Sequence, residues 1–117
     1  MSVEINSVVI GGNLARDVEL KEIASGKKVA SFAVASNRTY LSNGQKEKET
    51  VFIDVDVWGP SAENCNQYLK KGSPVVVVGR LKQDQWESEG QKRSRLKIVA
   101  SNVQFLPSKK KEEVSVE

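Results

Sequence analysis

The chain has no histidine and a single cysteine, Cys65, among its 117 residues. Without histidine there is no imidazole metal ligand, no Ser-His-Asp or Cys-His arrangement, and none of the commonest general base. One cysteine excludes an intrachain disulfide and a cysteine zinc cluster. Cys65 stands with Ala62 and Leu69 at helical spacing, which reads as a small buried residue rather than a nucleophile. No run of about 18 apolar residues occurs, so no membrane-spanning helix is expected. The start, Met1-Ser2-Val3-Glu4-Ile5, lacks the basic-then-apolar layout of a secretory signal, and a cytoplasmic location is the expectation. Aromatics are scarce at 6%, so the place of each is informative.

What is present suits one soluble globular domain, with 28% charged and 38% hydrophobic residues. The net charge of +3 is unevenly spread. Residues 1–69 carry seven basic and nine acidic side chains, whereas 70–106 carry eight basic and three acidic ones. In residues 107–117 three lysines and three glutamates cancel. Positive charge gathered in one half-domain fits a polyanion partner, and equally a plain solvated face.

Period-two apolar runs dominate the chain and predict five strands: Val3–Ile10, Val29–Tyr40, Thr50–Trp58, Pro74–Trp86 and Ser94–Leu106. The first run ends at Gly11-Gly12, read as a break without the glycine spacing of a phosphate loop. Asn43-Gly44 is a hairpin signal, because both residues accept positive φ, and a second turn is expected around Gly90. The unbroken Val75–Val78 is the pattern of a strand buried on both faces. One helix is predicted from Pro60 or Ser61, with Ala62, Cys65 and Leu69 inward, Lys70-Lys71 in its last turn and Gly72 as its C-terminal cap. Three strands, one helix, then two strands is the layout of an OB-fold: an all-β domain with one helix, closed as a five-stranded Greek-key barrel. The domain is expected over residues 1–106, followed by a short charged flexible tail, 107–117.

Residues 51–58 alternate most strictly, with Val51, Ile53, Val55 and Val57 on one face and Phe52, Asp54, Asp56 and Trp58 on the other. Two aromatics on an acidic, wet face are either a stacking surface for bases or are covered by a further layer, loop or subunit. Arg38 and Tyr40 extend one face of the second run beyond the core. Arg80, Lys82 and Trp86 share parity in the fourth run, and Arg95 and Lys97 do so in the fifth. Together these residues are expected to line one curved surface, cations tracking phosphates and rings stacking on bases. The same patterns fit half-buried strands whose aromatics pin loops. A cation site or paired-carboxylate chemistry at Asp54 and Asp56 lacks a third ligand, so no metal, cofactor or catalytic residue is expected.

Longer motifs carry a resemblance. They are Asn6-Ser7-Val8-Val9-Ile10, Gly12-Asn13-Leu14-Ala15-Arg16-Asp17, Val29-Ala30-Ser31-Phe32, Thr50-Val51-Phe52-Ile53, Trp58-Gly59, Tyr68-Leu69-Lys70-Lys71-Gly72-Ser73, Val78-Gly79-Arg80-Leu81, Trp86-Glu87 and Val103-Gln104-Phe105-Leu106. In order and spacing over residues 3–106 they resemble the bacterial single-stranded DNA-binding protein family, homotetrameric OB-fold proteins of replication, recombination and repair. The resemblance implies base stacking at Tyr40, Phe52, Trp58 and Trp86, and phosphate contacts from cations such as Lys71 and Lys82. It also implies a non-enzymatic, nucleoid-associated protein that pairs with copies of itself along Val3–Ile10. Asp54, and Asp84-Gln85, depart from the family's basic pattern, which implies fewer phosphate contacts and a shallower salt dependence. The family's acidic tip ending in Pro-Phe, which recruits replication and repair proteins, has no counterpart in Glu112–Glu117. An RNA-binding version and a protein-interaction module remain the rivals to this reading, with a hydrolase the least supported.

Overall fold

A computed structural model describes residues 2–107. Six strands and one helix follow in the order β1 (Val8–Leu14), β2 (Glu19–Glu22), β3 (Lys28–Ser42), β4 (Gln45–Trp58), α1 (Pro60–Tyr68), β5 (Pro74–Ser88) and β6 (Gln91–Phe105). The sheet runs β1-β5-β6-β4-β3-β2, and β1 also pairs with β3, closing five strands into a barrel. The expected OB-fold layout is therefore present, with β2 as an additional short strand. β1 and β2 lie in succession along one edge of β3, at Val34–Ala35 and then Lys28–Ser31. They act as one bent first strand broken over Ala15–Val18.

The first strand begins and ends later than the hydrophobic pattern implied. Val3 and Ile5 precede it and are exposed, whereas the strand continues through Gly11-Gly12. Gly12 is no break: a Cβ there would lie 2.2 Å from the Ala35 carbonyl oxygen. A strand glycine marks a close backbone approach, and here it lets β1 cross from β5 to β3. Gly79 has the same role opposite β6, where its missing Cβ would meet the Val99 carbonyl at 2.2 Å beside a register shift.

Phe32, Val34, Val55, Val75, Val77 and Ile98 fill the barrel, with Ala62 and Cys65 of α1 and Leu69 just after it closing one end. Burial raises the Cys65 thiol to about 11, so it is protonated at neutral pH. The Val75–Val78 run alternates after all: Val75 and Val77 are buried, while Val76 and Val78 are only half-buried on the outside. The helix is shorter than predicted. Leu69 leaves it in an extended conformation, its N–H donating to the Cys65 carbonyl, because that geometry drops the leucine into the core. Lys70 and Lys71 thus fall in the following turn, and Gly72 (φ 94°) serves that turn rather than capping the helix.

Both long hairpins turn on two residues of positive φ, Asn43-Gly44 (53° and 78°) and Glu89-Gly90 (53° and 78°). This is the primed turn whose twist suits antiparallel strands. Past Ser36 and Gly79 the two hairpins leave the core and project as exposed arms. The tail 108–117 lies outside the described residues.

Candidate nucleic-acid interface

Register decides which side chains meet, since directly paired residues share a sheet face. Across β3 and β4 the outer pairs are Val29 with Trp58, Ser31 with Asp56, Ala33 with Asp54 and Ala35 with Phe52. The parallel β4–β6 ladder sets Asp54 beside Lys97 and Asp56 beside Val99. The β5–β6 arm then adds Arg80 with Val99, Lys82 with Lys97, Asp84 with Arg95 and Trp86 with Arg93. Phe52, Trp58 and Trp86 therefore share one outer face with Arg80, Lys82, Arg95 and Lys97. All three rings are open to solvent, at 67%, 44% and 43%. Phe52 and Trp58 are six residues apart on one strand, about 20 Å at the rise of an extended chain.

Two expected members are not on this face. Tyr40 pairs with Glu47 and Arg38 with Glu49, on the side of β3–β4 that continues the core. There the Arg38 guanidinium sits 4.6 Å over the Tyr40 ring and donates to Glu49 at 3.1 Å. The single surface expected of four aromatics is thus divided, three rings outside and one behind the arm. Lys71 is not on the sheet face either. It lies in the turn after α1, where its backbone N–H donates to Asp17 at 2.7 Å.

The aspartates do not leave the face bare and acidic, as their positions implied, because each is matched by a cation. Lys97 donates to Asp56 at 2.6 Å and to Asp84 at 2.8 Å, and its side chain is only 18% exposed. Asp56 also accepts the Ser31 hydroxyl at 2.9 Å. These two carboxylates hold the Lys97 ammonium above its usual range, and Lys97 in turn pulls Asp84 below the ordinary carboxylate range. Asp54 lies between two arginines, Arg95 at 3.4 Å and Arg16 at 3.7 Å, and Asp84 also faces Lys82 at 3.9 Å. Lys97, expected to touch phosphate, is therefore an internal tie with little capacity left. Arg80 is exposed on the face and makes no ion pair among the described residues.

The structure adds cations that the sequence patterns did not single out. Arg16 and Lys21 line a groove with Trp58, Ser31, Arg95 and the aspartates, brought there by the bend between β1 and β2. Arg93 and Lys92 line a cleft against Trp86. Lys46 and Lys48 share Phe52's face on the β3–β4 arm. For Arg93, Lys46 and Lys48 the signal is plain parity, with Arg95 on β6 and with Phe52 on β4. Lys21 reaches Trp58 through Val29, by the β2–β3 and β3–β4 pairings, and β2 is too short and polar to show as a strand in the sequence. Arg16 is carried over β3 and β4 by the bend that follows the β1–β3 contact. The combined arrangement offers flat rings spaced along a strand, flanked by guanidinium and ammonium groups: the means to bind a flexible polyanion with stackable bases.

The profile of the single-strand binding protein family matches residues 5–106. A single-stranded DNA-binding protein of Helicobacter hepaticus is 47% identical over 106 residues, covering 89% of this chain and 62% of that protein. One from Treponema pallidum is 45% identical over 105 residues, covering 90% and 60%. The chain thus spans about three-fifths of the length of these curated relatives. A solved structure described as a Plasmodium falciparum SSB complex with ssDNA superposes with a TM-score of 0.84 at 23% identity, over 92% of this chain and 99% of that one, and confirms the fold.

Proposed function

The chain belongs to the single-strand binding protein family, and we propose that it binds single-stranded DNA with little sequence preference, protecting exposed strands in replication, recombination and repair. It does so without catalysis, by stacking bases on Phe52, Trp58 and Trp86 while Arg80, Arg93, Arg95, Lys82 and neighbouring cations meet phosphates. The observation that carries this reading is the gathering of three solvent-open rings with those cations on one face. A stacked ring reads only the π-face that every base has, so affinity is bought without base-edge hydrogen bonds and sequence is tolerated. Tyr40, with Arg38, serves as a fourth platform behind the β3–β4 arm, reached by a strand that passes around the arm. Lys71 contacts phosphate from the turn after α1.

Self-association belongs to the same proposal, and a homotetramer is the assembly inferred. The edge of β1 from Val8 to Gly12 that faces away from β5 has no strand partner among the described residues. Beside it Val9 is 67% exposed, with half-buried Val76 and Val78 next to it. An open ladder edge with an apolar flank is suited to pairing with a second copy. Among the described residues no helix is long and apolar enough to cross a membrane, and we place the protein in the cytoplasm with the nucleoid.

The test is direct because both tryptophans of the chain lie on the proposed face. Titration with a dT oligonucleotide is expected to quench tryptophan fluorescence and shift the oligonucleotide's mobility. Absence of both at low salt overturns the reading. Equal competition by poly(U) would extend it to RNA.

A further inference from the structure

The ion pairs on the interface fall into two kinds. Lys97 with Asp56 and Asp84 is short, at 2.6 and 2.8 Å, and its ammonium is largely covered. Asp54 is different. Its carboxylate is one-third exposed, and its partners Arg95 and Arg16 are 64% and 45% exposed at 3.4 and 3.7 Å. Pairs this open and this long hold weakly and are screened by salt. Both arginines line the groove that runs past Trp58, so they already stand where a phosphate beside a stacked base would pass.

We propose that Asp54 is an exchangeable internal counter-anion: it occupies Arg16 and Arg95 in the free protein and is displaced by DNA phosphate on binding, thereby setting affinity and salt dependence. The proposal rests on the single-stranded DNA reading above. The exchange has a defined ionic consequence. A phosphate that takes Arg95 from Asp54 releases the counterion condensed on the DNA, but the freed carboxylate takes up a cation from solution. Net cation release per phosphate is therefore smaller than for a bare arginine, which releases about 0.7 per phosphate on single strands. Lys97 takes no part in the exchange, since removing it would leave two carboxylates facing one another. The distinction makes Asp54 a specificity-determining residue for polyanions: it favours ligands whose bases stack on Trp58 over those offering charge alone.

The test is Asp54→Asn, which keeps shape and removes the charge. A dT oligonucleotide is titrated over a series of salt concentrations. Relative to wild type, affinity at low salt is expected to rise about three- to fivefold, the scale of one exposed pair. The plot of log affinity against log salt is expected to steepen by at most about one, the cation that the single freed carboxylate takes up in wild type and that the asparagine does not. Two controls separate this from a change in overall charge or fold. Glu22→Gln, which removes the same charge from β2 away from both arginines, should leave the slope unchanged, and Asp54→Glu should restore the wild-type slope. If Asp54→Asn binds equally or more weakly, or with an unchanged slope, the exchange is wrong. Should the asparagine variant fail to fold, Arg95→Gln answers instead: with Asp54 as its counter-anion it alters the slope by less than Arg80→Gln does, and an equal or larger change overturns the proposal. If wild type itself binds no oligonucleotide, the functional reading fails first, and the two failures are thereby told apart.

Discussion

Phe52 and Trp86 are large side chains that contribute almost nothing to the core, with 67% and 43% of their surface left in water. Their removal should therefore separate binding from folding. We expect Phe52→Ala and Trp86→Ala each to weaken oligonucleotide binding by ~1–3 kcal/mol, the worth of one stacked base, with the melting temperature nearly unchanged. Collapse of the fold in both, followed by thermal melts, would make the rings structural instead. The Lys97 tie carries the complementary expectation, a role in stability with a stated pH window. Asp84's carboxyl is depressed in the folded protein, chiefly by the hydrogen bond from Lys97. Its contribution is thus present above the unfolded carboxylate range, near 4, and lost as pH falls through the depressed folded value. Lys97 is raised, chiefly by Asp56, so its share is present below the unfolded lysine value and lost as pH rises through the folded one. Thermal melts of wild type and Asp84→Asn should therefore differ at pH 7 and converge at a pH well below the unfolded carboxylate range. A difference that persists at that pH would show that Asp84 acts through packing rather than charge.

At the scale of elements, the two-residue turn at Asn43-Gly44 settles where Tyr40 must be. It pairs Ser42 with Gln45, so even-numbered residues of β3 share a face with odd-numbered residues of β4. Tyr40 and Phe52, both even, are then necessarily on opposite faces. This relation is legible in the sequence, since Asn43-Gly44 marks a two-residue turn and the parity of the strands follows from it. The β5–β6 arm obeys the same relation, because Glu89-Gly90 puts Trp86, Lys82 and Arg80 with Arg93, Arg95 and Lys97. Strand periodicity and turn chemistry thus reveal hairpin faces, whereas Gly12 and Arg16 acquire their roles from β1 meeting β3, a contact between distant segments that no local pattern encodes. The divided aromatics lead to a length-dependent expectation. Tyr40→Ala should leave binding of a dT oligonucleotide of a few nucleotides intact and weaken that of one long enough to round the arm. Fluorescence titrations with a length series measure this, and equal weakening at every length would place Tyr40 with the outer rings.

For the whole molecule, the open edge of β1 connects stability of the barrel to the reach of the binding surface. A single chain offers one groove past Trp58 and one arm bearing Trp86, enough for a short stretch of strand. Copies joined edge to edge through Val8–Gly12 would set several such faces around one body, and a long polyanion held at several sites gains affinity from effective concentration with no new contact. Val9 is the residue on which this turns, being exposed in the single chain yet flanked by Val76 and Val78. Because its side chain points away from the core, Val9→Asp should leave the barrel folded while placing a charge in the joined edge. We expect its mass in solution, by light scattering, to fall from that of the assembly to that of a smaller species. Affinity for a long dT strand should drop at least tenfold, whereas that for an oligonucleotide spanning one face stays close to wild type. A variant of unchanged mass would move the assembly surface elsewhere, and a monomeric wild type would remove the multivalent term and leave the single face to account for all of the binding.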